Sequence, residues 1–346
     1  MQALVLVGGE GTRLRPLTLT QPKPAITLVD RPLIRHAVDW LARHGVTEVV
    51  MACGFRAEDL RSTLGDAVPG GPRIAYVSEP EPLGTAGPVR LAADRGLLGD
   101  RFLVLNGDVL TDLDLSALIA AHAGHEATAT LALYPVDDPS SFGLVRRTPA
   151  GEVTGFLEKP EPEQIDTDEV NAGAYVLERG VLDLIPAGRQ VSIEREVFPR
   201  LVGNGLYALR LEGYWTDIGT PERYLQATWD ILDGTIETAL DRHGESGPLI
   251  AAGAEVAADA TVGPRAVVRP GAAVGPGAAV VDSVLLDGVR IGAQADVRGS
   301  ILAAGVEVGE RARVGPGAVI GAGARIAPEA EVGEDARVQP AETIQA

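Results

Sequence analysis

An α/β layered sheet followed by a left-handed parallel β-helix is the fold the sequence predicts. Two observations carry it. Apolar strand-like runs alternate with helix-spaced segments over residues 1–232, and aliphatic residues recur every six positions over residues 249–346. A chain of 346 residues, 45% of them hydrophobic, is long and apolar enough for two such domains.

The elements follow in order. Ala3-Leu-Val-Leu-Val7 is an apolar run ending in glycines, the pattern of a buried parallel strand. It lacks the length and the basic flank of a signal peptide. Leu33 to His44 has helical spacing and closes at Gly45. Val46–Ala52, Ile74–Val77 and Phe102–Leu105 read as strands, Asp114–Ala123 as a helix, and Ala127–Tyr134 as a further strand. Sheets of this kind bind ligands at the carboxyl ends of their strands. Residues 233–248 read as a linker.

The six-residue repeat then takes over. Ile250, Val256, Val262, Val268, Val274 and Val280 open it, and Val308, Val314, Ile320, Ile326, Val332 and Val338 end it. Alanine stands four residues after most of them, as at Ala254, Ala260 and Ala266. Small-x-aliphatic hexads fill the interior of a triangular prism. The steps Val280 to Ile291 and Val297 to Val308 are one residue short of two hexads. They predict tightened turns around Val284-Leu-Leu-Asp-Gly288 and Ser300-Ile-Leu-Ala-Ala304. No histidine lies within the repeats, so acyl transfer there lacks its general base. A structural, regulatory or oligomerising role remains.

Charge narrows the function further. The formal net charge is -18, with no long basic run, which argues against nucleic acid or an acidic membrane as partner. No apolar stretch reaches the length of a membrane span. Cys53 is the single cysteine and reads as an inert buried thiol, which fits a cytoplasmic chain. Of 30 basic side chains only two are lysines, Lys23 and Lys159. Lysine is a compact point charge and arginine a planar fork, so some sites cannot exchange them. The first 36 residues carry five basic side chains (Arg13, Arg15, Lys23, Arg31, Arg35) and two acidic ones, a positive island in an acidic chain.

The loop after the first strand is Gly8-Gly-Glu-Gly-Thr-Arg-Leu-Arg-Pro-Leu-Thr18. Its glycines let backbone N–H groups crowd an anion, and Arg13 and Arg15 add charge. From here the chain resembles the sugar-1-phosphate nucleotidyltransferases, and within them the GDP-mannose pyrophosphorylases with C-terminal hexapeptide repeats. Pro22-Lys-Pro-Ala-Ile-Thr-Leu-Val-Asp-Arg-Pro32 and Glu81-Pro-Leu-Gly-Thr-Ala-Gly-Pro88 carry that resemblance. So do Leu105-Asn-Gly-Asp-Val109, Ser141-Phe-Gly-Leu-Val145, Phe156-Leu-Glu-Lys-Pro160 and Asn171-Ala-Gly-Ala-Tyr175. Ser192-Ile-Glu-Arg-Glu-Val-Phe-Pro199 and Gly213-Tyr-Trp-Thr-Asp-Ile-Gly-Thr-Pro221 complete the set, which covers essentially the whole chain.

The resemblance implies a Rossmann-like, GT-A-like mixed sheet. It also implies attack of a sugar 1-phosphate on the α-phosphate of a nucleoside triphosphate, with GTP and α-D-mannose 1-phosphate as substrates. It implies catalytic roles for Arg13, Lys23, Asp108 and Asp217, the two aspartates holding Mg²⁺. Nucleotide contacts are implied for Leu6, Gly8, Gly9, Gly11, Thr12, Arg13, Lys23, Glu79, Gly84, Thr85, Asn106 and Gly107. Sugar-phosphate contacts are implied for Gly143, Glu158, Lys159, Asn171, Gly173 and Trp215. Two anions must meet in this reaction, so positive charge and positioning are what the protein has to supply. A hard divalent cation held by few carboxylates fits that need.

Guanine presents N1–H and N2–H donors, so Glu79 or a nearby carbonyl is the candidate reader. Glu10, inside the glycine-rich loop, is a weaker one. Uridylyl or thymidylyl transfer to glucose 1-phosphate, guanylyl transfer to heptose 1-phosphate, and a catalytically silent sugar-nucleotide-binding paralogue are the alternatives. The β-helix is expected to join subunits in a homo-oligomer.

Overall fold

In a computed structural model the described residues are 1–54, 56–240 and 247–346. Residues 241–246 of the expected linker lie outside them. Compactness groups the chain differently from its sequence grammar. One unit is Met1–Gly9 with Ala37–Trp215, and the other is Glu10–His36 with Thr216–Ala346.

The first unit is built on a mixed sheet of nine strands among the described residues. Its main path runs Val153–Glu158, Gly143–Arg147, Glu169–Glu178, Arg101–Asn106, Gln2–Leu6, Glu48–Cys53, Arg73–Ser78. Ala129–Pro135 pairs with Glu169–Glu178, and Leu206–Arg210 pairs with Ala129–Pro135. The strand Gln2–Leu6 is parallel to both neighbours and central, which explains its unbroken apolar core of Ala3, Leu4 and Val5, all 0% exposed. The antiparallel strand Glu169–Glu178 joins this parallel half to the rest. Strand ends with glycine-rich continuations, Leu6 and Asn106, therefore lie side by side in register. The expected strands and the helices Leu33–Arg43 and Leu115–Gly124 are all present, with ends shifted by a few residues. Asp114 caps the second helix by accepting from Ala117 N–H at 3.1 Å.

The second unit holds three parallel sheets of two- and three-residue strands, stacked coil on coil. The second residue of each strand pair, such as Val268, Leu285, Leu302 and Ile320, points into a continuous aliphatic interior with Ala266, Ala272 and Ala312. The shortened steps fall differently from the expectation. Val284–Leu285 and Ile301–Leu302 are regular strands, stacked in register on Val267–Val268 and Val319–Ile320. The residue is missing from the turn before each, where Asp282 and Gly299 take positive φ of 52° and 53°. Ser283 and Ser300 fill the small inward position there, fully buried. Ser300 donates to the carbonyls of Arg298 and Gly315, and Ser283 donates to Val281.

The three faces differ outward. On the second and third faces the outward residues are mostly polar or charged, as at Glu255, Arg290, Glu307, Arg325, Arg313 and Glu331, and exposed. On the first face the outward row is Val267, Val284, Ile301 and Val319, each 0% exposed. Successive strand residues point to opposite sides, so this row faces away from the prism interior. Side chains bordering it show what covers it. Arg265 pairs with Asp233 at 3.1 Å and lies over the Trp229 ring, and Arg337 reaches Glu222. Arg269 donates to the Asp30 carbonyl at 2.9 Å. The helix Pro221–Leu232 and the turn at Asp30 thus dock on one apolar face of the β-helix.

Burying such a side chain contributes about 1.5–3 kcal/mol. Ile301→Ala is therefore expected to lower stability by about 2–4 kcal/mol. Glu307→Ala, outward on the second face, should stay within about 0.5 kcal/mol. Urea unfolding midpoints compare the two, and equal effects would contradict the outward burial.

Candidate nucleotide and sugar-phosphate site

In the first unit the glycine-rich loop leaves the central strand between two close neighbours. A Cβ on Gly8 would stand 2.9 Å from Glu79 Oε1 and 3.3 Å from Gly54 N. Only glycine lets these backbones meet. The half-buried Glu79 carboxylate accepts from Leu83 N–H at 2.9 Å through its other oxygen. Burial pushes the Glu79 pKa up, and the Leu83 N–H opposes that shift. Glu79 thus ties the first loop to the Leu83–Ala86 loop.

That second loop is fixed from the far side of the sequence. Gly84 has φ +77°, and a Cβ there would meet the Val191 carbonyl at 2.5 Å. Ala86 N–H donates to Val191 O, and Val191 N–H donates to Leu83 O, each at 2.9 Å. The Thr85 hydroxyl is already committed: it donates to Glu194 at 2.6 Å and accepts from Ile193 N–H at 2.8 Å. Its side chain therefore holds the loop, and a ligand there would meet the backbone.

Asn106 and Gly107 end the neighbouring strand. Gly107 N–H donates to Leu6 O at 2.9 Å, and a Cβ on Gly107 would meet Val7 Cγ1 at 2.5 Å. Asp108 follows in the turn, half-buried. Gly173, at φ +73°, lets its strand pass the Asn106 amide, which a Cβ would meet at 2.6 Å. Asn171 is turned inward, donating to the Tyr175 hydroxyl at 2.8 Å and accepting from Gly173 N–H at 3.0 Å. Trp215 donates to the Ala172 carbonyl at 2.8 Å and packs edge-on against Phe142. Asn106, Gly173, Trp215 and Trp40 line a small, mostly apolar hollow.

Gly143 and Glu158 are direct cross-strand partners, and a Cβ on Gly143 would stand 2.9 Å from Glu158 Oε2. Lys159 is exposed and takes φ +53°, which a non-glycine side chain seldom adopts. Its N–H donates to Phe142 O at 2.9 Å, fixing that turn. Burial pushes the Glu158 pKa up, the Glu194 charge adds to it, and Lys159 and Arg195 oppose it.

In the second unit Gly11 takes φ +62°, and a Cβ there would meet Thr18 Cγ2 at 2.9 Å and Lys23 Cβ at 3.0 Å. Thr18 donates to Gly11 O at 2.9 Å. Thr12–Leu14 and Lys23–Ala25 form short 3₁₀ turns. Arg13 is exposed and Lys23 is buried. A Cβ on Gly219 would stand 2.8 Å from both Arg13 Nη2 and Asp217 Oδ2, so the two charges border one small space. Asp217 Oδ1 is ion-paired with Arg223. Glu10 pairs with Arg15 at 3.4 Å on the surface.

Among the described residues no three His, Cys, Asp or Glu side chains gather to hold a metal. Asp217 has one oxygen on the Arg223 guanidinium and the other beside the Cβ-less Gly219. Its carboxylate could serve a hard cation only where phosphates and water supply the remaining ligands and the guanidinium gives way.

Two residues were not singled out from the sequence. Glu194 lies inside the motif Ser192-Ile-Glu-Arg-Glu-Val-Phe-Pro199, where it orients Thr85 and Ser192 and bears on Glu158. Arg223 follows Asp217 by six residues, a spacing that carries no signal by itself. Cys53 is buried, its thiol pushed up to about 12 by burial, as expected of an inert thiol.

The nucleotidyl transferase family matches residues 2–234, and the GMPPB C-terminal domain family matches residues 246–346. A mannose-1-phosphate guanylyltransferase of Mycobacterium tuberculosis is 40% identical over 296 residues, covering 85% of this chain and 82% of that one. A mannose-1-phosphate guanyltransferase of Candida albicans is 44% identical over 234 residues, covering 66% and 64%. The crystal structure of HddC from Yersinia pseudotuberculosis superposes with a TM-score of 0.57 at 27% identity. It covers 65% of this chain and 97% of that one. No helix among the described residues is long and apolar enough to cross a membrane.

A raised Glu158 pKa carries a sign. The folded chain takes up this proton above the ordinary carboxylate range, so the charged form costs stability at neutral pH. The cost is relieved as pH falls through the folded pKa. Glu158→Gln is expected to raise the melting temperature at neutral pH, with the gain vanishing in acid. A gain that persists in acid would contradict the assignment.

Proposed function

The chain belongs to the nucleotidyl transferase family, and we propose that it transfers a guanylyl group from GTP to α-D-mannose 1-phosphate, forming GDP-mannose and pyrophosphate. The observation that carries this is likeness to mannose-1-phosphate guanylyltransferases through the sheet and well into the β-helical half. An oxygen of the sugar phosphate attacks the α-phosphorus, the new P–O bond forms, and the bond to the β-phosphate oxygen breaks. No covalent nucleophile from the protein is needed, so positioning and charge carry the catalysis.

Roles follow the resemblance residue by residue. The loop containing Leu6, Gly8, Gly9, Gly11 and Thr12 presents N–H groups to the triphosphate. Arg13 stabilises the leaving pyrophosphate and Lys23 contacts the nucleotide phosphates. Glu79, Gly84 and Thr85, with Asn106 and Gly107, belong to the nucleoside side. Glu79 or a nearby backbone carbonyl is the reader of the guanine donors in this proposal. Gly143, Glu158, Asn171, Gly173 and Trp215 shape the sugar side, and Lys159 takes the sugar phosphate. Asp108 and Asp217 would hold Mg²⁺, which when bound screens the meeting anions and polarises the α-phosphate.

A nucleoside triphosphate substrate suits a cytoplasmic enzyme. A homo-oligomer through the β-helix is part of this reading. At the first coil Ile250 is 47% exposed, whereas Val268 and Leu285 at matching positions are 0% exposed. The prism thus ends in an uncovered apolar residue.

A matrix of GTP, UTP and dTTP against mannose, glucose and heptose 1-phosphates, with Mg²⁺, tests the activity by pyrophosphate release. GTP with mannose 1-phosphate is expected to be fastest. Lys159→Arg should be slower with every sugar, and the same preparation should have a solution mass above the 36.0 kDa of one chain. Preference for another pair would move the substrate assignment. No release with any pair would favour a silent paralogue.

A further inference from the structure

Asp217 ends the strand Trp215–Asp217, and the helix Pro221–Leu232 begins four residues later. Thr220 caps that helix by accepting from Arg223 N–H, which fixes Arg223 in its first turn. From there the Arg223 guanidinium reaches back to Asp217 Oδ1. The Asp217 side chain is 16% exposed, that of Arg223 39%. The other carboxylate oxygen borders the space beside Gly219, which Arg13 Nη2 also borders. The carboxylate is thus paired with one guanidinium and near a second.

A divalent cation and a guanidinium compete for the same oxygens and repel one another. We propose that Arg223 is a positioning residue that holds Asp217 as a counterion and yields it to the metal only when a nucleoside triphosphate arrives. The triphosphate supplies acceptor oxygens for Arg13 and Arg223, which prefer bidentate anions. Releasing Arg223 uncovers Asp217 where the cation and phosphates enter together. Metal and nucleotide binding then become linked, each raising the affinity for the other. The more exposed side chain is the one that moves. This rests on the reading of Asp217 as a metal ligand.

Mn²⁺ titration of the full chain, followed by the electron paramagnetic resonance of free Mn²⁺, tests both parts without turnover. In the absence of nucleotide, Arg223→Gln is expected to bind Mn²⁺ at least about fivefold tighter than wild type. Arg223→Lys, which keeps the charge, should stay near wild type and shows that the position tolerates substitution. Unchanged or weaker Mn²⁺ binding in Arg223→Gln overturns the proposal. With GTP present, Asp217→Asn should lose bound Mn²⁺. Retention of wild-type binding there overturns the metal-ligand reading and the proposal with it. Loss there, with no gain in Arg223→Gln, leaves that reading standing and removes the proposal alone.

Discussion

Lys23 puts an ammonium-bearing side chain at 8% exposure in a chain of net charge -18. A buried charge is costly unless its surroundings are built for it. Much of the second unit serves that placement. Gly11 must lack a side chain, because Lys23 Cβ and Thr18 crowd it. Pro22 and Pro24 flank the lysine within a short turn, Ile26 N–H closes the turn on Lys23 O, and the Tyr224 hydroxyl anchors the next residues at Thr27 O. Arg269 then holds the Asp30 carbonyl from the β-helix. The β-helix is thereby part of the frame around the lysine-bearing segment.

The same frame explains why one β-helical face is apolar outside as well as inside. The outward row of Val267, Val284, Ile301 and Val319 needs a cover, and the helix after Asp217 is positioned to provide it. One apolar contact therefore fixes the base of the helix that carries Arg223 and the turn that follows Lys23. The second and third faces, with alternating Arg and Glu along their ladders, are suited to water.

The strand-end loops and the repeat were legible because each follows a strict pattern: apolar runs closing in glycine, and aliphatics every six residues. The docked face has a signature in the sequence as well. Paired aliphatics, Val267-Val268, Val284-Leu285, Ile301-Leu302 and Val319-Ile320, mark every third hexad. The strand pairs keep their register, so the shortened steps fall in the turns at Asp282 and Gly299. The commitments of Thr85 and Asn171 to protein partners could not be seen, because they depend on Glu194 and Tyr175 arriving from other strands. The compact grouping of residues 10–36 with the β-helix is a tertiary fact with no local signature.

On the proposed function, this frame presents a compact ammonium to the nucleotide phosphates. Calorimetric titration of GTP into Lys23→Arg tests it most directly, with Lys23→Met as an uncharged variant of similar length. Loss of the charge-assisted contact should weaken GTP binding by about tenfold or more in Lys23→Met, and the wider guanidinium of Lys23→Arg should not restore it. Wild-type GTP affinity in both variants would contradict the account.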